Sequence, residues 1–306
     1  MKRLAILFIP LLVQAASMEE LQWRFAQMKP ASVKDALQDM AQRWPERCPL
    51  TNSWLASLEQ DHTALLARLK AGDQTACAPA EQIIQRVRDA LLNNPLLDAE
   101  SMLLVRRPAS KLALPTNTGG IQYISAKDKG DNAILRMCNW RVAPRLETLW
   151  APSNTAQYVG EIKLHFDANR LMFTANNEKS AYRLYELSLS TPTAPPTLLP
   201  QILDDDVDNS DGCWLADDSI LFVSTAPFLG VPCVGGTSYI GHLYRWDHQD
   251  HAIRRLTFDQ EHNWNPVQMQ DGRVLYLRWE YSDIPHFAAR ILFTMNPDGT
   301  GQREHY

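Results

Sequence analysis

Asn169-Arg170-Leu171-Met172-Phe173-Thr174, Asp218-Ser219-Ile220-Leu221-Phe222-Val223 and Gly272-Arg273-Val274-Leu275-Tyr276-Leu277 are three versions of one phrase. A polar turn precedes each: Asp167-Ala168-Asn169, Ala216-Asp217-Asp218 and Gln270-Asp271-Gly272. A second strand-like run follows each: Tyr182-Arg183-Leu184-Tyr185, Gly241-His242-Leu243-Tyr244 and Arg290-Ile291-Leu292-Phe293. Leu171 and Ile220 stand 49 residues apart, and Ile220 and Val274 stand 54 apart. Several short strands per period of about 40–50 residues predict a mainly β fold, an antiparallel β-propeller.

Working outward, Met102-Leu103-Leu104-Val105 and Ile134-Leu135-Arg136-Met137 read as a degenerate first blade. A turn-rich insert, Pro108 to Asp131, divides it. Pro192 to Pro200 is a connector between strands of one blade. Four blade-like units are few for a closed propeller, so the repeats are expected to continue beyond Tyr306.

Residues 18–97 read as a helical segment. Ser32 is placed as the N-cap of a stripe of Val33, Ala36, Leu37 and Met40. A second run starts at Ser53 and ends near Gly72, and a third spans Ala80 to Leu92. Ahead of them, Met1-Lys2-Arg3, the apolar run Leu4 to Val13 and small residues around Ala15-Ala16-Ser17 form a signal-peptide pattern. The expected organisation is therefore a cleaved signal over 1–17, helices over 18–97 and propeller repeats over 98–306. The expected location is periplasmic or secreted, with no transmembrane segment after signal removal.

With a formal charge of −5 and a pI of about 5.9, the chain lacks the basic footprint of a nucleic-acid binder. Export permits disulfides among Cys48, Cys77, Cys138, Cys213 and Cys233. Cys48 and Cys77 lie in loops that a bridge would tie, or are separate thiols. Cys233 offers three readings: a bridge to Cys213, a buried thiol, or a soft ligand to a metal or haem edge, with Asp208, His242 and His262 as nearest co-ligands. Asp204, Asp206 and Asp208 alternate like the first ligands of a Ca²⁺ loop. The pattern then fails, because Asn209 stands where the loop needs Gly and Leu215 where it needs Glu, and a solvated inter-blade loop is the competing reading.

His262 beside Asp259, Glu261 and Trp264 reads as a turn-fixing residue or a ligand. His286 stands in an aromatic and acidic loop, and His248 and His251 at a hairpin tip. Gly-x-Ser-x-Gly, His-Glu-x-x-His, a Walker loop and Cys-x-x-Cys-His are all missing, which argues against a self-contained hydrolase and against haem attached within these residues.

Gly230-Val231-Pro232-Cys233-Val234-Gly235-Gly236, Leu256-Thr257-Phe258-Asp259, Arg278-Trp279-Glu280-Tyr281 and Met295-Asn296-Pro297-Asp298-Gly299-Thr300 carry a resemblance. Over residues 100–306 the chain resembles the N-terminal propeller region of hydrazine synthase α subunit-like proteins, with generic TolB-type repeat signals. The resemblance implies an exported propeller followed by haem-binding domains, whose haem-attachment motifs this sequence lacks. Two functions follow as expectations. One is a binding or scaffold module, not catalytic alone, presenting propeller loops to a partner or downstream domain. The other is the N-terminal part of a haem- or metal-dependent periplasmic redox enzyme.

Overall fold

The computed structural model describes residues 17–48, 53–107, 131–153, 158–176, 181–231, 235–236, 238–279 and 290–305. The chain divides into two compact units, Met1–Met102 with Met137–Glu147, and Leu103–Arg136 with Thr148–Tyr306.

The first unit is built on helices α1 (Met18–Gln27), α2 (Pro30–Arg43), α3 (Ser53–Lys70) and α4 (Cys77–Leu92). Ser17 caps α1, its hydroxyl accepting the Glu20 N–H at 3.2 Å. Helix α2 begins two residues ahead of Ser32, because Pro30 occupies the first turn, where its missing N–H costs nothing. Leu21 and Phe25 of α1, Val33, Leu37 and Met40 of α2, Leu55, Leu58, Leu65 and Leu69 of α3 and Val87 of α4 share one core. Gly72, at φ 80°, ends the turn after α3. Met137–Glu147 joins this unit through Arg141, which donates to the Asp98 carboxylate at 2.8 Å, while Arg88 donates to the Arg141 carbonyl at 2.6 Å.

The second unit is a stack of antiparallel sheets. The first holds three strands in the order β1 (Ser101–Arg106), β2 (Ala133–Cys138), β3 (Arg145–Trp150). Three four-stranded blades follow. They are β4 (Val159–Leu164), β5 (Arg170–Asn176), β6 (Tyr182–Ser188) and β7 (Thr197–Leu198); β8 (Asn209–Trp214), β9 (Ile220–Ser224), β10 (His242–Trp246) and β11 (Ile253–Arg255); β12 (Asn263–Gln268), β13 (Val274–Trp279), β14 (Arg290–Met295) and β15 (Arg303–Glu304).

The repeated phrase occupies one register. Leu171 pairs with Leu164 and Leu187, Ile220 with Trp214 and Trp246, and Val274 with Gln268 and Met295. Two residues on, each blade carries an aromatic pair: Phe173 with Tyr185, Phe222 with Tyr244, Tyr276 with Phe293.

Its turns share one construction. Asp167, Asp217 and Asp271 each accept the backbone N–H two residues ahead, at 2.7, 3.0 and 3.1 Å. The residue between donor and acceptor takes positive φ: Ala168, Asp218 and Gly272.

Blades bury both faces, which is why their second strands read as unbroken apolar runs. Leu171 and Phe173 pack with Ile134 and Leu149 of the first sheet. Ile220 and Phe222 pack with Met172 and Leu184 of the second, and Val274 and Tyr276 with Leu221 and Val223 of the third. Phe222 is wholly buried. Phe222→Ala is expected to cost about 3–5 kcal/mol through the cavity it leaves. Leu292→Ala, at a side chain 37 % exposed, is expected to cost under about 1 kcal/mol. Urea midpoints of the two variants check this.

Candidate functional site on the inner strands

Strand β8 packs against β4 on one side and β12 on the other, so the first strands of the three blades converge. Each breaks register at the same level: between Val159 and Ile162, Ser210 and Cys213, Trp264 and Val267. These are β-bulges, with two residues facing one on the partner strand. The bulged pairs are Gly160-Glu161, Asp211-Gly212 and Asn265-Pro266. Asp211 and Asn265 adopt φ of 50° and 51°, a left-handed conformation that Asp and Asn tolerate better than other side chains. At position 212 a Cβ would lie 2.0 Å from the Met172 sulfur, so the bulge nests directly on the preceding blade.

The bulges bring two carboxyl side chains and a backbone N–H together. The Asn265 N–H donates to Asp211 Oδ2 at 3.2 Å. Glu161 is hydrogen-bonded to the Asp211 carboxyl, and the Thr174 hydroxyl donates to Glu161 Oε2 at 3.4 Å. Asp211 is buried, whereas Glu161 and Asn265 are partly accessible. Burial, and secondarily the Asp211 charge, push the Glu161 carboxyl up to about 8, against a weaker opposing pull from Arg107. At neutral pH Glu161 therefore holds its proton and donates it to the Asp211 carboxylate.

The Tyr158 ring is buried beside them. Burial and then the Glu161 charge raise its hydroxyl's pKa, and its oxygen has no hydrogen-bond partner among the described residues. The Arg107 guanidinium lies over its ring at 5.4 Å and donates to the Val159 carbonyl. A proton shared between carboxyls, beside a buried phenol, can bind a polar ligand or exchange a proton with one. The sequence reading missed this cluster, because the bulged pairs share no residue type and fall outside the repeated phrase.

The residues singled out from sequence take other places. Asp208 and His262 are equivalents one blade apart. The Asp208 carbonyl accepts the Thr225 N–H at 3.0 Å, as the His262 carbonyl accepts that of Trp279 at 2.9 Å. Each side chain receives an N–H from the start of the preceding blade's third strand: Tyr182 to Asp208 Oδ1 and Gly241 to His262 Nδ1, both at 2.9 Å. Both residues thus stand at the same end of their blades and brace neighbouring blades together.

His262 stacks with Trp264 and Trp279, at ring separations of 4.5 and 5.9 Å. Burial, then His242 and Arg290, hold it down at about 3, so it stays neutral. Its Nδ1 accepts from Gly241, so the proton sits on Nε2, which is buried without a hydrogen-bond partner among the described residues. His242 is likewise held at about 3, by burial and then Arg255, with its Nδ1 3.2 Å from the Thr257 hydroxyl.

The acidic run does not assemble a cation loop. Asp204 and Asp206 are exposed, Asp208 is committed to Tyr182, and Asn209 to Gly212 enter strand β8 instead of remaining in a loop. Arg183 takes the Asp204 carbonyl at 2.8 Å and also the Val207 carbonyl. Among the described residues no three His, Cys, Asp or Glu side chains converge to hold a metal ion.

Cys48, Cys77 and Cys213 are free thiols here, so neither the Cys48–Cys77 nor the Cys213–Cys233 bridge is formed in this structure. The Cys48 thiol instead lies 3.5 Å from the Asn93 carbonyl, and Cys213 is buried in the core between the third and fourth sheets. Cys233 and His286 lie outside the described residues. Among the described glycines, Gly230 has the tightest backbone approach: a Cβ there would fall 2.5 Å from Gly236 Cα. His248 and His251 flank Trp246 on a hairpin turn, with ring separations of 5.7 Å.

No family model matches this sequence, and no curated protein matches it. Solved structures do share the fold. The hydrazine synthase of Kuenenia stuttgartiensis superposes on 68% of this chain at a TM-score of 0.50 and 13% identity, over 32% of its own length. A putative TolB from Agrobacterium tumefaciens aligns over 69% of this chain and 62% of its own, at 15% identity and a TM-score of 0.44. TolB from Acinetobacter baumannii aligns over 74% and 59%, at 12% identity and a TM-score of 0.32. The chain spans about a third of the hydrazine synthase chain it resembles, and at these identities the likeness is one of fold.

Proposed function

We propose that this protein is an exported β-propeller binding module that takes up its partner along the converging inner strands and is not catalytic by itself. The observation that supports this reading is the set of three bulges in register. They place Glu161, Asp211 and Asn265 together on the inner edges of three blades, while the blade faces are spent on stacking. A protein that needed only a stacked core would lose nothing by regular inner strands, since bulges interrupt ladder hydrogen bonds. The signal-peptide pattern at residues 1–17 supports export, and among the described residues no helix is long and apolar enough to cross a membrane.

A photocrosslinking residue at Val267, an exposed position on β12, tests the binding face against Thr197 on the outermost strand β7. A discrete adduct from position 267, weakened by Asp211→Asn and lacking at position 197, is the expected result. Equal labelling at both positions, or none at 267, overturns the inner-strand reading. Export is checked separately by mass spectrometry of the periplasmic fraction. A new N-terminus near Ala16 to Met18 is expected, and recovery of only the full-length cytosolic chain removes export from the proposal.

A further inference from the structure

The helical unit carries a feature that propeller binding does not use. A groove of about 320 Å³ opens between α1, α2 and α4. That volume lies at the lower end of small-molecule clefts. Its floor is apolar: Met28, Val33, Ile84 and Leu91 line it, and the unbranched Met28 adapts readily to an inserted chain. Its rim is cationic: Arg24, Lys29 and Arg88 border it and, among the described residues, no carboxylate does, Glu81 lining the adjoining cleft that Arg24 also borders.

The three cations are not equivalent. Arg88 is engaged, with the Arg141 carbonyl at 2.6 Å and Asp89 at 3.5 Å. Arg24 and Lys29, which bracket the end of α1 and the start of α2, make no ion pair or hydrogen bond among the described residues. In a chain of net charge −5, two unpaired cations beside an apolar floor are a local reversal of sign. The Ser32 hydroxyl and Gln27 amide add polar groups on the same side.

From this complementarity we propose that the groove binds a small amphipathic anion, a single alkyl chain ending in a carboxylate. The chain lies on Met28, Val33, Ile84 and Leu91, and the carboxylate is held by Arg24 and Lys29. An apolar tail gains by leaving water, and a charge-assisted hydrogen bond fixes the head at the rim. A ligand with a cationic head would meet three like charges.

The full chain is titrated calorimetrically with decanoate, decanol and decyltrimethylammonium, each below its micelle concentration. Saturable one-to-one binding of decanoate, at least about tenfold tighter than either analogue, is expected from loss of the charged contacts. Arg24→Ala with Lys29→Ala should weaken decanoate about tenfold and leave decanol unchanged. Ala36→Trp, which fills the groove from an exposed position on α2, should abolish decanoate binding. Arg43→Ala, whose partner is Asp39 and which stands outside the groove, should leave it intact. The proposal is overturned if the three ligands bind alike, if decanoate fails to bind, or if Ala36→Trp still binds it while retaining native helical dichroism. It is also overturned if an acidic amphipathic peptide saturates the groove and excludes decanoate at far lower concentration, since the occupant is then a helix. If Ala36→Trp does not fold, the Arg24 and Lys29 pair decides between these outcomes.

Discussion

Stability is expected to peak near pH 6.5 and to fall on both sides, with opposite groups responsible for each flank. On the acid side the cause is His262 and His242, both held neutral down to about 3 by burial, their ordinary value being 6.5. Between those values the unfolded chain binds protons that the folded chain refuses, so stability rises with pH across the window and is lost as pH falls through it. Each such group contributes a slope of about 1.4 kcal/mol per pH unit. Glu161 acts in the reverse sense. Its folded value is raised from 4.5 to about 8, so the folded chain holds a proton the unfolded chain has released, and stability falls as pH rises between them. From pH 4.5 to 6.5 the two histidines oppose Glu161 and, acting in the same sense as Glu161, the raised Glu186 and Glu261 carboxyls, and a net gain is expected. Above 6.5 the histidines drop out, and Glu161 turns the slope negative. Chemical denaturation at half-unit steps from pH 4.5 to 8 reads this directly. A profile that declines across 4.5 to 6.5 would show that the two imidazoles are not buried neutral.

Glu161→Gln should separate the two flanks. The amide can still donate to the Asp211 carboxylate but carries no proton to lose. Above pH 6.5 the decline should vanish: the variant should hold its stability to pH 8 while the parent loses about 2 kcal/mol over the same interval. Below pH 6.5 the slope should steepen by roughly 1 kcal/mol per unit, because Glu161 no longer opposes the histidines. Asp211→Asn is the complementary change. It removes the charge that, after burial, raises the Glu161 pKa, and the alkaline limb should move to lower pH. If Glu161→Gln leaves the alkaline limb in place, the carboxyl pair is not its origin.

Much of the fold was written in short range. Leu171, Phe173, Ile220, Phe222, Val274 and Tyr276 announced the blades because second strands are buried on both faces and must be apolar throughout. Asp167, Asp217 and Asp271 announced the turns because an aspartate closing its own backbone two residues on is a local event. The helices from Ser53 and toward Leu92 were legible for a similar reason, an apolar stripe at helical spacing. The start of α2 was misread at Ser32 because Pro30 already satisfies the first turn.

What the sequence by itself determined was therefore the architecture: strands, turns, the blade period and the helical segment ahead of them. The site was decided only by the tertiary structure. Glu161, Asp211 and Asn265 lie about 50 residues apart in successive repeats, in pairs with no common residue type. A bulge shifts register, and so hides the alternation by which a strand shows its inward face. Asp208 and His262 have the converse history. Sequence offered Asp208 as a ligand and His262 as a ligand or a turn-fixing residue, and in the stack of blades each accepts a neighbouring strand's N–H. The pKa of Glu161 is likewise a property of assembly, since burial and a second carboxyl raise it only when two blades stack.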